Sequence, residues 1–268
     1  MKKILIFLFL LIPAGFISCD EFLSDPDNLT TEEVIEGLKT ALIVGTDSSV
    51  AITSALNGYY GDPLLKILLP DEADVILDNL DNPLLETIGV SQVINNSIDN
   101  VVLSINRAAE SAATDAGPIF KNSITSLSIT DAWDILNGTN PAETKKTNGF
   151  DSTAATEYLR STTYDALVTA FSPYINGALD EDLGLGFSTN QAWGTLTTTY
   201  NNAANHTLDI FDNLKPVETT DLGEYAVGKA LNGLFMKVGE EEVKIRRNPW
   251  AWASSLVGDI LTRVFGGE

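Results

Sequence analysis

The feature that most restricts how this chain can fold is an apolar stripe between residues 91 and 115. Ile94, Ile98, Val101, Ile105, Ala108 and Ala112 recur in alternating steps of four and three. That rhythm tracks the 3.6-residue turn of an α-helix and puts all six side chains on one face. A half-buried strand would need alternation by two, which the segment lacks. The chain is thereby committed to burying a long helical face against other elements. Gly117-Pro118 is expected to break this helix, because proline removes a backbone donor and crowds the preceding turn.

Further segments follow the same period. Thr30-Thr31-Glu32-Glu33 reads as a capping box opening a helix that carries Val34, Leu38, Ala41 and Leu42. Residues 58–70, rich in Gly and Pro, read as an irregular connection. After Pro118 a short helix is expected, then another opened by Thr130-Asp131 and closed by Asn137-Gly138. Residues 139–152 form a polar, mobile surface loop in this reading. Residues 154–171 return to helical spacing and stop before Pro173, Gly184-Leu185-Gly186 marks a break, and residues 191–202 make a further helix. Leu222–Arg247 is a long helical block, and Asn248-Pro249 restarts a final helix. Residues 66–69 and 126–129 are the sole strand candidates, and neither has a partner of similar quality. The expected fold is mostly α: a single multi-helix domain, bundle-like or orthogonal, with little or no β structure.

The N-terminus gives an address. Lys2 and Lys3 precede an apolar run over residues 4–16, and small residues lead to Cys19, the pattern of a secretory signal. At about 13 residues the run is short of the roughly 20 that span a bilayer. Phe16-Ile17-Ser18-Cys19 resembles the lipobox of bacterial lipoproteins. The expected organisation is a signal peptide over 1–18, a lipidated tether over 19–29 beginning at Cys19, and a helical domain over 30–268. The expected location is the bacterial cell envelope, with the domain facing the periplasm or the cell surface. Cys19 is the chain's one cysteine, which excludes a disulfide, a Cys-based metal site or a catalytic thiol in the mature domain. Of 16 basic residues Lys2 and Lys3 belong to the signal, leaving 14 against 37 acidic ones. Such a balance argues against nucleic acid as a partner and against docking on anionic lipid through the protein surface. The membrane, through the anchor, and an envelope protein or small molecule remain as expected partners.

Candidate chemistry is sparse. His206 stands alone in an Asn-rich stretch, so histidine triads and zinc sites are not expected. No P-loop, dinucleotide-binding turn or nucleophile elbow occurs, and no cofactor or metal site is expected. What remains is a set of charged and polar groups beside apolar stripes. Asn106, Arg107 and Glu110 border the first stripe, and Glu157 and Arg160 share a helical face. Val227, Leu231, Leu234 and Val238 form another stripe continuing to Ile245, with the missing step at Glu241 or Glu242. A carboxylate on a buried stripe is costly unless paired, and Arg107, Arg160, Lys229 and Arg246 are the candidate partners. These nine residues allow a buried ion-pair network, a ligand pocket, or paired carboxylates in acid–base work. Of Trp250 and Trp252, one is expected in the core and the other exposed, while Trp133 and Trp193 are expected in the core.

Several stretches carry a resemblance. They include Asn106-Arg107-Ala108-Ala109-Glu110, Ile129-Thr130-Asp131 running on to Ile135-Leu136-Asn137-Gly138, and Ala154-Ala155-Thr156-Glu157-Tyr158 with Arg160. Tyr225, Lys229-Ala230-Leu231, Gly233-Leu234-Phe235, Glu242, Ile245-Arg246, Pro249 and Val264-Phe265-Gly266 follow in order. In these the chain resembles the bacterial envelope proteins grouped as the domain of unknown function DUF4197. The resemblance implies one helical domain in the cell envelope and supplies no activity. The leading expectation is a lipid-anchored, non-enzymatic binding or interaction module. A carboxylate-dependent hydrolase using Glu110, Glu157 or Glu242, and a structural spacer or assembly factor, are the alternatives.

Overall fold

Capping chemistry and apolar periodicity together set where the helices begin and which faces they bury. The computed structural model describes residues 29–130, 132–141, 149–207, 215–217, 222–252 and 256–266. Helix α1 (Thr31–Thr53) opens on the expected capping box. Glu33 N–H donates to Thr30 Oγ1 at 3.2 Å, and the Glu33 carboxylate accepts the Thr30 N–H at 2.8 Å. A 3-10 turn and two short helices follow, α2 (Asp74–Leu77) and α3 (Pro83–Thr87). Then come α4 (Ser91–Ser126), α5 (Ala132–Leu136), α6 (Ala154–Asp180), α7 (Thr189–Thr207) and α8 (Leu222–Arg247). A 3-10 turn over Pro249–Trp252 leads to α9 (Leu256–Phe265), so the last helix starts later than Asn248-Pro249 would set it.

Four long helices close a ring in which α1 packs on α8, α8 on α6, α6 on α4 and α4 on α1. Helix α7 covers α4, and α9 and α5 cover α1. The close approach rests on small residues. Gly37, Ala41, Gly45 and Ser49 repeat every four residues along α1 and are buried. The Val264 side chain of α9 sits over Gly37 where a Cβ would be. Gly45 faces Val238 and Glu241, while Ala41 shares a cluster with Ile245, so α8 runs antiparallel to α1.

The sequence rules on proline are overturned twice. Helix α4 runs through Pro118 to Ser126, and α6 runs through Pro173 to Asp180. A proline inside a helix costs about 3 kcal/mol. Beyond Pro118, however, Phe120 and Ile124 are buried, and burial of each such side chain contributes about 1.5–3 kcal/mol. Phe120 also meets Phe235 edge-on, with centroids 5.3 Å apart. Beyond Pro173, Ile175 and Leu179 are buried in the same way. Two continuing core stripes therefore outweigh two broken hydrogen bonds.

Helix α5 ends as its sequence predicts. Gly138 takes φ +75°, its N–H donates to Ile135 O, and Thr139 N–H reaches back to Asp134 O at 2.8 Å. That is a Schellman closure, which favours glycine at the left-handed position. Asp131, expected in the N-cap, and residues 142–148 of the loop lie outside the described residues, as do Cys19, the rest of 1–28 and the side chain of His206. Among the described residues there is no strand. The two stretches considered as strands are irregular backbone after residue 65 and the exit from α4. Trp193 is buried as expected, but Trp133 is 41% exposed because its indole reaches outward to α1 rather than into the ring. Trp250 is exposed and Trp252 packs beside Ala41, Ile245 and Leu261.

Candidate functional site

The apolar stripe of α8 has its gap where the spacing puts it, at Glu241 and Glu242, which are 4% and 1% exposed. Glu242 is satisfied by the start of α6. Its carboxylate accepts the Ala155 N–H at 3.0 Å, the Thr156 N–H at 2.8 Å and the Thr156 hydroxyl at 2.6 Å. Thr153, the N-cap of α6, provides no side-chain cap, so a carboxylate from another helix does the work. Negative charge at a helix N-terminus meets the positive end of the dipole. One turn on, Arg246 donates Nε–H to Glu242 at 2.8 Å, Nη1–H to Leu136 O at 2.8 Å and Nη2–H to Ile135 O at 3.0 Å. The guanidinium thus caps the C-terminal carbonyls of α5. One ion pair joins the end of α5 to the start of α6 through α8.

A second cluster secures the connection after α1. Asn106 Oδ1 accepts the Ile67 N–H at 2.8 Å while Nδ2 donates to Ile67 O at 2.7 Å, the double exchange a neighbouring strand would supply. Glu110 accepts the Tyr59 and Tyr60 N–H groups at 3.2 and 3.1 Å and pairs with Arg107. Arg107 also donates to Asn57 Oδ1, on a residue held at φ +69°. Tyrosine hydroxyls also tie the same stretch to α8. Tyr59 donates to Ala230 O at 2.7 Å, and burial, then the charge of Glu110, raises its phenol above the ordinary range. Tyr225 donates to Leu68 O at 2.9 Å, and burial with Asp71 and Glu72 nearby pushes it up to about 12. Asp62 pairs with Lys237 at 2.9 Å, and that bond lowers the Asp62 carboxyl below its usual range.

The third group faces solvent. A cleft of about 510 Å³ lies between α6 and α8. Glu157 and Arg160 line it from α6, together with Thr153, and Asn232, Phe235, Met236, Gly239, Glu240 and Val243 line it from α8. Arg160 donates to Asn232 Oδ1, and its guanidinium lies 5.5 Å from the Phe235 ring centroid and 5.9 Å from that of Tyr164. The cation is thus held over two aromatic rings at one end of the cleft. The walls are apolar along Phe235, Met236 and Val243, with carboxylates of Glu157 and Glu240 on either side. This is a concave, mostly apolar surface with a few placed polar groups, the usual make-up of a small-molecule site.

The nine residues picked from the sequence therefore do not form one network. The structure brings Glu242 to Arg246 and Asn106 and Arg107 to the Glu110 loop anchor, and it places Glu157 and Arg160 in the lining of one cleft. Glu241 pairs instead with Lys244 at 2.5 Å, and Lys229 stands apart with its nitrogen 5.4 Å from the Tyr225 ring. Among the described residues no group of three or more His, Cys, Asp or Glu is placed to hold a metal ion. No described helix is long and apolar enough to cross a membrane.

The family model for DUF4197, a protein of unknown function, matches residues 28–266. The chain belongs to DUF4197. No curated protein and no solved structure matches it. Within this DUF4197 domain, the sequence stripe found Glu242 and the helical spacing paired Glu157 with Arg160. It missed the α8 side of the cleft. Asn232, Phe235, Met236, Gly239, Glu240 and Val243 recur in steps of three, one, three, one and three, which is a second face of α8 beside the core stripe. That periodicity was the available signal, and it is hidden because Phe235 counts equally well as core.

Proposed function

We propose that this DUF4197 chain is a lipid-anchored protein of the bacterial cell envelope whose domain binds a small amphipathic molecule in the α6–α8 cleft. The cleft is the observation that carries this reading. Its size and apolar walls suit a small molecule, and Arg160, steadied by Asn232, offers a charged donor for an acceptor group on that molecule. The lipobox-like Phe16-Ile17-Ser18-Cys19 supports the anchor. Binding without chemistry is favoured by the carboxylates themselves. Glu110 and Glu242 are taken up by backbone N–H groups and arginine, which leaves them to hold elements together.

The test is native mass spectrometry of the domain from Asp20 onward, purified from its own envelope. The expected result is a retained small molecule that is lost in the cleft-filling variant Met236→Trp and weakened in Arg160→Ala. An empty domain whose melting temperature is also unmoved by envelope extract overturns the binding reading. Turnover of an envelope substrate that disappears in Glu157→Gln would replace it with an enzymatic one.

A further inference from the structure

Exposed large side chains stand near both ends of α1. Ile52 lies in the last turn of α1, Leu56 just beyond it, and Leu64 and Leu68 in the connection that follows; all four are aliphatic. Among the exposed aromatic residues, Trp133, Phe150 and Trp250 belong to elements gathered around the first half of α1, while Tyr174 lies in the second half of α6. Trp133 Nε1 donates to Thr31 Oγ1 at 3.1 Å, on the first residue of α1. Phe150, 66% exposed, stacks on Arg246, whose guanidinium also faces Phe265 at the end of α9. Helix α9 is fixed to the first turn of α1 by the Arg263–Glu33 pair at 2.8 Å. Trp250, 63% exposed, sits in the turn directly after α8, whose Ile245 packs with Ala41. With 23 residues, α1 is about 34 Å long at 1.5 Å per residue. Ile52 and Leu56 are therefore separated from these three aromatic residues by about half of that length or more.

The chain before Leu29 enters at the aromatic end. From Cys19 to Leu29 is ten residues, which can reach at most about 35 Å. A lipid on Cys19 holds the start of α1 within that distance of the bilayer. Tryptophan is enriched at the membrane–water boundary, because its ring is apolar and its N–H needs a polar partner. Lys244 and Arg247 add exposed positive charge in the last turn of α8. Glu32 and Asp134 are exposed on the same side, so the surface is mixed in charge and matches zwitterionic headgroups rather than a strongly anionic sheet.

We propose that this end of the domain rests on the bilayer that holds Cys19, with Trp133, Phe150 and Trp250 seated among zwitterionic headgroups. The docking rests on the lipid-anchor reading and leaves the α6–α8 cleft as a separate matter. The aromatic residues add contact area to the acyl chains, and they fix the orientation of the domain so that the far end of α1, with Ile52 and Leu56, points away from the membrane.

The experiment uses the full chain made in a bacterium, with intact mass read first. Absence of acyl mass on Cys19 overturns the anchor and the docking together, before any vesicle is added. The acylated protein is then bound to phosphatidylcholine vesicles carrying lipids brominated near the headgroup. The expected result is quenching of tryptophan fluorescence with a blue shift, most of it lost in the Trp133→Phe/Trp250→Phe variant. Both positions are exposed, so that variant keeps its helical circular dichroism, and the buried Trp193 remains as an unquenched reporter. Acylated, vesicle-bound protein whose emission matches the unacylated Cys19→Ser chain in buffer overturns the docking while leaving the anchor standing.

Discussion

Glu242 links α5, α6 and α8 through a carboxylate that is almost fully buried, so removing its charge leaves Arg246 in the interior without a counter-ion. Breaking one side of a buried pair costs about 3–5 kcal/mol. Glu242→Gln is expected to lose that much in urea unfolding, and Glu110→Gln less, because Arg107 keeps 18% of its side chain in water. Equal losses would contradict the role of burial. Asp62 makes a different prediction, in pH. The Lys237 bond lowers its folded pKa, so its contribution is present above the ordinary aspartate range and is lost as pH falls through the lowered folded value. Asp62→Asn is expected to flatten the acid limb of melting temperature against pH and to leave the neutral plateau slightly lower. An unchanged acid limb would remove Asp62 from the account. At this scale the sequence exposed Glu242 through a gap in a stripe and offered Arg246 among its candidate partners, yet it hid the others. The Ala155 and Thr156 amides and the Ile135 and Leu136 carbonyls are backbone groups, which no side-chain pattern announces.

Elements were legible where a local rule acts alone and obscure where packing competes with it. The Thr30–Glu33 capping box and the Gly138 closure depend on a few consecutive residues, and both appear as their sequences require. Pro118 and Pro173 are equally local signals, but the burial of Phe120, Ile124, Ile175 and Leu179 lies beyond them and continues both helices. The strand-like stretch 66–69 shows the converse. Its Ile67 exchanges both backbone bonds with the Asn106 side chain, so a strand's pairing is satisfied by a helix. If α4 tolerates Pro118 rather than needing it, Pro118→Ala restores an N–H facing the Thr114 carbonyl. The expected gain is about 2–3 kcal/mol, since a helix-interior proline costs about 3 kcal/mol and the freer unfolded chain takes back up to about 1. Urea unfolding should show a higher midpoint at an unchanged slope. A lower midpoint would mean that Pro118 positions Phe120 against Phe235.

For the whole molecule, the balance is between a dense acidic surface and a few sheltered pairs. With 37 acidic and 16 basic residues the chain carries a formal charge of −21 at pH 7. Self-repulsion at that charge opposes the compact state. Exposed charges are screened beyond about 8–10 Å at 0.1–0.15 M salt, whereas buried pairs are screened much less. The pairs that join elements here, Glu242 with Arg246 and Glu110 with Arg107, have side chains mostly out of water. Raising sodium chloride from a few millimolar to about 0.15 M should therefore weaken repulsion more than it weakens attraction, over a range set by the Debye length. The melting temperature is expected to rise. Glu242→Gln should melt lower at every salt concentration but climb with the same slope, because the pair it breaks is sheltered from the added ions. A falling melting temperature in the parent chain would mean that solvent-exposed pairs such as Arg263–Glu33 contribute more than the summed repulsion. A steeper climb in the variant than in the parent would mean that water and ions reach Glu242, and that the junction of α5, α6 and α8 opens in solution.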